Sequence, residues 1–169
     1  ILVGAATKRP LSEYLSEKIW KPAGMEQQAT WILSRTGKEI SGCCIQAATR
    51  DFARFGLFIL NGARVDGQSI VPDGWLAEAT TGRTGIGVPG RGYGYQWWTY
   101  ADGSFSARGI FGQGIFIDPK RRIVIASNAN WGGGARDPVA SEAREAFYRT
   151  VQKAIDDEAA ASRENGQAR

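Results

Sequence analysis

A chain of 169 residues with 43% hydrophobic and 22% charged side chains has the profile of one soluble globular domain able to bury a core. Its net charge of +4 comes from Lys and Arg interleaved with acids, not clustered, which argues against nucleic acid as a partner. The absence of histidine excludes a Ser-His-Asp triad, a Cys-His pair and any His-bearing zinc site within these residues; no apolar run is long enough to span a bilayer, and no signal peptide is recognisable.

Along the chain, "ILVGAA" at the start reads as the interior of an apolar helix cut open, so the natural start is expected further upstream. Pro10 opens a helix whose Leu11, Tyr14, Leu15 and Ile19 share one face, and Pro22 and Gly24 end it. Residues 26–41 read as irregular or short strand. Cys43 and Cys44 are adjacent, so free, buried thiols are expected; they do not decide between a cytoplasmic and a periplasmic location. Thr49 can cap a second helix with Asp51 in its first turn, and Phe52, Phe55, Ile59 and Leu60 form its apolar stripe. Arg50-Asp51 reads as an ion pair at that helix start. Asp66-Gly67 marks a tight hairpin, and Pro72 starts a short helix through Ala79.

Three antiparallel strands are then predicted, at about 93–100, 104–118 and 123–128. Asp137-Pro138 caps and opens a last helix, with Val139, Ala143, Ala146, Phe147, Val151 and Ile155 on its core face. Residues 159–169 are expected to be a disordered tail, leaving 1–158 as the folded part. Helices, a hairpin sheet and a terminal helix make an α+β pattern, an antiparallel sheet flanked by helices.

Several motifs carry no chemistry on this reading. "GIGVPG" at 85–90 fits G-x-G-x-x-G but follows a helix and leads into a strand, the wrong context for a dinucleotide loop. No cofactor and no metal are therefore expected. Arg35-Thr36-Gly37 and Arg83-Thr84-Gly85 read as turns in loops. The aromatic run Tyr93, Tyr95, Trp97, Trp98, Tyr100 is a strand covered on both faces or a sugar or base platform. Gly109, Gly112 and Gly114 puncture the 104–118 strand, and glycine there marks a bulge or a close approach of another group.

Four blocks in order, "RPLSEYLSEKIWKPAGM", "TRDFARFGLFILNGARVDGQSIVPDGWL", "YGYQWW" and "ARGIFGQGIFIDPKRRIVIASN", resemble the serine hydrolases of the β-lactamase/penicillin-binding fold. Within that group the chain is most similar to the bacterial esterase and amidase branch that includes the 6-aminohexanoate-dimer hydrolases. The resemblance implies a metal-free reaction in which the serine of an S-x-x-K element attacks a carbonyl. Its lysine, with the tyrosine of Y-x-N, moves the protons, and two backbone N–H groups hold the oxyanion.

By that resemblance "ARGI" (107–110) stands where K-T-G and its next residue stand. Ile110 would give the second oxyanion N–H, with Gly109, Phe111, Gly112 and Arg108 against the substrate. Gln46 and the Cys43-Cys44 backbone, at the pocket rim, are candidates for contacting substrate, and Trp131 would close the pocket or pack under the last helix. Ala107 at the K-T-G lysine position weakens a β-lactam-carboxylate site and favours a small amide or ester. Arg108 would hold a carboxylate or point to solvent. No serine stands three residues before a lysine and no tyrosine two residues before an asparagine. The nucleophile, lysine and tyrosine are therefore expected from the upstream part of the same protein. The rival reading is a non-catalytic binding module of the same fold; a weaker one is a glycan binder using Trp97 and Trp98.

Overall fold

The computed structural model describes residues 2–167, and the chain divides into two compact units, residues 1–79 and 80–169. In the first, α1 (Leu2–Thr7) is followed by α2 (Leu11–Leu15), which starts after Pro10 and runs into a π-wound turn, Ser16–Trp20. Gly24, at a φ of 72°, closes this stretch with its amide bonded to the Lys21 carbonyl at 3.1 Å. A two-residue pair, β1 (Thr30–Trp31) with β2 (Ile45–Gln46), precedes α3 (Thr49–Leu60). The hairpin β3 (Arg64–Val65) and β4 (Gln68–Ser69) turns on Asp66 and Gly67, both at positive φ, as their sequence demands. Helix α4 is Trp75–Ala79.

Three expectations for this unit need correction. Cys43 and Cys44 form a disulfide, and Cys43 is exposed, not buried. The φ of 83° at Cys44 turns the chain so that neighbouring side chains meet. Ala48, not Thr49, holds the cap position of α3, with no side-chain capping bond. Nor is Asp51 the partner of Arg50. It is fully buried and accepts the amides of Glu26 and Gln27 at 2.7 and 3.1 Å, while Arg50 reaches Glu26 at 3.3 Å. A buried carboxylate needs donors fixed in place, and backbone amides meet that need better than a solvated guanidinium.

The second unit is a six-stranded antiparallel meander. Its strands are β5 (Thr84–Gly85), β6 (Arg91–Tyr93), β7 (Trp98–Tyr100), β8 (Phe105–Arg108), β9 (Gly114–Asp118) and β10 (Ile123–Ser127), each beside the next in sequence. The mixed helix and antiparallel-sheet class holds, but the expected three strands become six. Residues 93–100 fold back at 94–97, with Gln96 at a φ of 66°, and residues 104–118 fold back at 109–113. Both segments are apolar enough to read as continuous strands, so their turns were masked. Thr84 and Gly85, expected in a loop, form the sheet margin.

Helix α5 (Pro138–Gln167) starts as anticipated, with Asp137 Oδ1 accepting the Ala140 amide at 3.0 Å. It stacks Tyr148 on Phe116 of β9 at 4.3 Å between ring centroids, and Phe105, Ile115 and Ile117 complete the core. The helix continues through residues 159–167, where the sequence suggests a disordered tail: an alanine run there is a good helix former. Ile1 and the last two tail residues lie outside the described residues.

Candidate active site

The loop joining β8 to β9 is built by its own amides. Gly109 N–H bonds the Gln113 carbonyl at 2.9 Å, continuing the ladder one step past the Arg108–Gly114 pair. Gly112 N–H returns to the Gly109 carbonyl at 3.3 Å, and Phe111 N–H is taken by Gln113 Oε1 at 3.0 Å. The amides of Ile110 and Gln113 have no acceptor among the described residues. Ile110 is 66% exposed, so its N–H stands at the tip of an interior hairpin and outside the strand ladder. The expected edge strand is thus a hairpin end, with Ile110 one residue beyond the last bonded rung.

Side chains of the protein itself come close to each of the three glycines. The space beside Gly109 is filled by the Gln113 side chain. A Cβ at Gly112, whose φ is 90°, would collide with the Trp131 indole, and one at Gly114 would come within 3.0 Å of the Tyr148 hydroxyl. The groups that approach this stretch belong to the protein itself. Trp131 also donates its amide to the Phe111 carbonyl at 2.9 Å, and its ring lies 4.6 Å from the Arg144 guanidinium of α5. It packs between loop and helix, the second of the two roles considered for it.

Arg108 holds neither solvent nor a free face. Its Nη2 bonds Glu145 Oε1 at 2.6 Å and its Nε bonds Ser106 Oγ at 3.1 Å. Glu145 also takes Arg91 Nη2 at 2.7 Å and the Tyr100 hydroxyl at 3.3 Å. Burial pushes the Glu145 carboxyl up, but the Arg91 hydrogen bond and the charges of Arg108 and Arg91 outweigh it and hold the group below the usual carboxylate range. The same burial, with Arg108 nearby, lowers the Arg144 guanidinium, and burial lifts the Tyr148 phenol to about 12. Trp97 and Trp98 are used in edge contacts with Phe105 and Tyr93, which leaves them poorly placed as an open sugar platform.

Arg108, Gly109, Ile110, Phe111 and Gly112 therefore share one hairpin end. Gln46 belongs to the other unit, where its exposed side chain sits 3.3 Å from Thr30 Oγ1. The Cys43 and Cys44 carbonyls there accept Trp31 Nε1 and the Ile32 amide at 3.1 and 3.2 Å. A cavity of about 840 Å³ in that unit is lined by Trp20, Met25, Trp31 and Ile45, and by none of the candidate site residues. Among the described residues no cluster of Cys, Asp and Glu could hold a metal, and no helix is long and apolar enough to cross a membrane. Sequence reasoning missed Gln113 and Glu145; the gap left by Gly109 was the available clue to Gln113.

Residues 1–149 match the family model described as beta-lactamase. The chain belongs to the beta-lactamase family. A curated relative, the 6-aminohexanoate-dimer hydrolase of Paenarthrobacter ureafaciens, is 28% identical over 130 residues, covering 70% of this chain and 33% of the relative. A solved Bacillus anthracis structure provisionally named as a 6-aminohexanoate-dimer hydrolase superposes with a TM-score of 0.76 at 29% identity. The match covers 90% of this chain and 40% of that one. This beta-lactamase-family chain thus spans about a third of the length of its curated relative. Its relatives are hydrolases, and the order of elements in the second unit is consistent with the shared fold.

Proposed function

We propose that this chain forms part of a serine hydrolase that cleaves an amide or ester bond through an acyl-serine intermediate, with Ile110 N–H as one oxyanion donor. The observation that carries the reading is the unpaired Ile110 amide two residues past the end of β8, at the position the family resemblance assigns to that role. Serine, lysine and tyrosine come from sequence outside these residues. The serine Oγ attacks the carbonyl carbon and its proton passes to the lysine–tyrosine pair. The carbonyl oxygen takes the negative charge against Ile110 N–H and the nucleophile's own amide. Collapse expels the protonated amine or alcohol, and water repeats the sequence to release the acid and restore the serine.

Charge recognition supports an amide or ester over a β-lactam. The lysine position of K-T-G carries Ala107, and the guanidinium of Arg108 is committed to Glu145. No cation of β8 remains to clamp a substrate carboxylate, which favours a small amide or ester as the substrate.

A fluorophosphonate probe tests this reading. The full-length protein should be labelled on one serine, and the isolated 169 residues should not. A full-length protein that fails to label would leave the non-catalytic binding module as the better account.

A further inference from the structure

We infer that Gln113 is a positioning residue for the oxyanion donor: its side-chain amide supplies the one hydrogen bond found on the peptide plane between Ile110 and Phe111, next to the plane that carries Ile110 N–H. This inference rests on the hydrolase reading above.

Three successive peptide planes make the loop tip. In a trans peptide the N–H and C=O point in opposite directions, so fixing either one fixes the aim of the other. The plane between Gly109 and Ile110 is anchored through the Gly109 carbonyl, which receives Gly112 N–H at 3.3 Å. That carbonyl faces into the turn, so Ile110 N–H faces out. The plane between Phe111 and Gly112 is anchored at both ends, by Trp131 N–H on the Phe111 carbonyl at 2.9 Å and by the same Gly112 bond. The middle plane, between Ile110 and Phe111, has one anchor only, the 3.0 Å bond from Phe111 N–H to Gln113 Oε1.

The Ile110 carbonyl on the other side of that plane has no hydrogen-bond donor among the described residues; a Cβ built on Gly134 would lie 3.2 Å from its oxygen. Gln113 is itself well held. Its main-chain carbonyl accepts Gly109 N–H at 2.9 Å, and its side chain fills the space beside Gly109 that any other residue there would occupy. Without Oε1, ψ of residue 110 and φ of residue 111 are released. The plane that aims Ile110 N–H then loses its fixed neighbour. A donor works only at about 2.7–3.1 Å from the oxyanion, so a small swing is costly.

Gln113→Met keeps the length and flexibility of the side chain and removes the acceptor. In the full-length protein, with p-nitrophenyl butyrate as probe, kcat should fall at least ~10-fold, part of the ~10²–10³ lost with a whole donor. KM should change by less than about twofold, since the ground-state carbonyl does not depend on this amide. Inhibition by phenylboronic acid, which forms a tetrahedral adduct, should weaken in step with kcat. Residue-resolved hydrogen exchange on the same samples should show Phe111 protected in the parent and released in the variant. An unchanged kcat, a rise in KM matching the loss, or an unprotected Phe111 amide in the parent overturns the inference. A parent without esterase activity overturns the hydrolase reading instead, and the exchange pattern still decides whether Gln113 pins the loop.

Discussion

Glu145 faces two arginines from inside the sheet–helix layer, and only 9% of it is exposed. Arg91 and Arg108 keep its carboxyl below the usual range against the opposing effect of burial. A carboxyl with a folded pKa below its unfolded value stabilises the protein fully above the unfolded pKa of about 4.3. That contribution is lost as pH falls through this value toward the folded one. Glu145→Gln removes the titration and leaves Arg91 and Arg108 without their counter-charge. We expect a loss of about 3 kcal/mol near neutral pH, the lower end for breaking a buried pair. Urea unfolding from pH 7 down to pH 3 checks it: the difference between parent and variant should shrink on acidification. A constant difference would mean that the carboxylate is not the stabilising group.

At the scale of elements, local chemistry explains what was legible. Asp66-Gly67, Pro10 and Asp137-Pro138 each fix one dihedral or satisfy one amide within a few residues, and these elements start or turn where the sequence says. Asp137→Ala should accordingly cost about 1 kcal/mol, the usual effect of removing a cap. Thermal unfolding of parent and variant measures it, and an unchanged midpoint would deny the capping bond any weight. Around the fold-back at 109–113, two of the glycines answer to partners far along the chain, which local sequence cannot show. Gly112 is required by Trp131 and Gly114 by Tyr148, partners 19 and 34 positions further along the sequence. The Arg108–Glu145 pair hid for the same reason, with 37 positions between its members. Ile110 was legible as a candidate only through the order of blocks around it; nothing in its own side chain marks a backbone donor.

On the scale of the whole molecule, the sheet and its helix leave apolar material uncovered. Strand β10 has a neighbour on one side only, and its five residues, Ile123–Ser127, carry no charge. Val139 and Phe147 of α5 are 76% and 55% exposed, and Ile110 and Phe111 stand out at the hairpin tip. An uncharged strand margin offers unpaired N–H and C=O groups to any similar strand, and neighbouring apolar side chains add a non-directional attraction. A net charge of +4 is too small to oppose this over distances longer than the ~8 Å screening length at physiological salt. The isolated 169 residues should therefore self-associate as concentration rises, and bind a hydrophobic dye. Ile125→Lys places a charge in the middle of the margin strand and should weaken the association without abolishing it, because the α5 surface is untouched. Sedimentation velocity over a hundredfold range of concentration reads both effects. A parent chain that stays monomeric throughout would show that the strand margin and the helix surface are better shielded than their exposure implies.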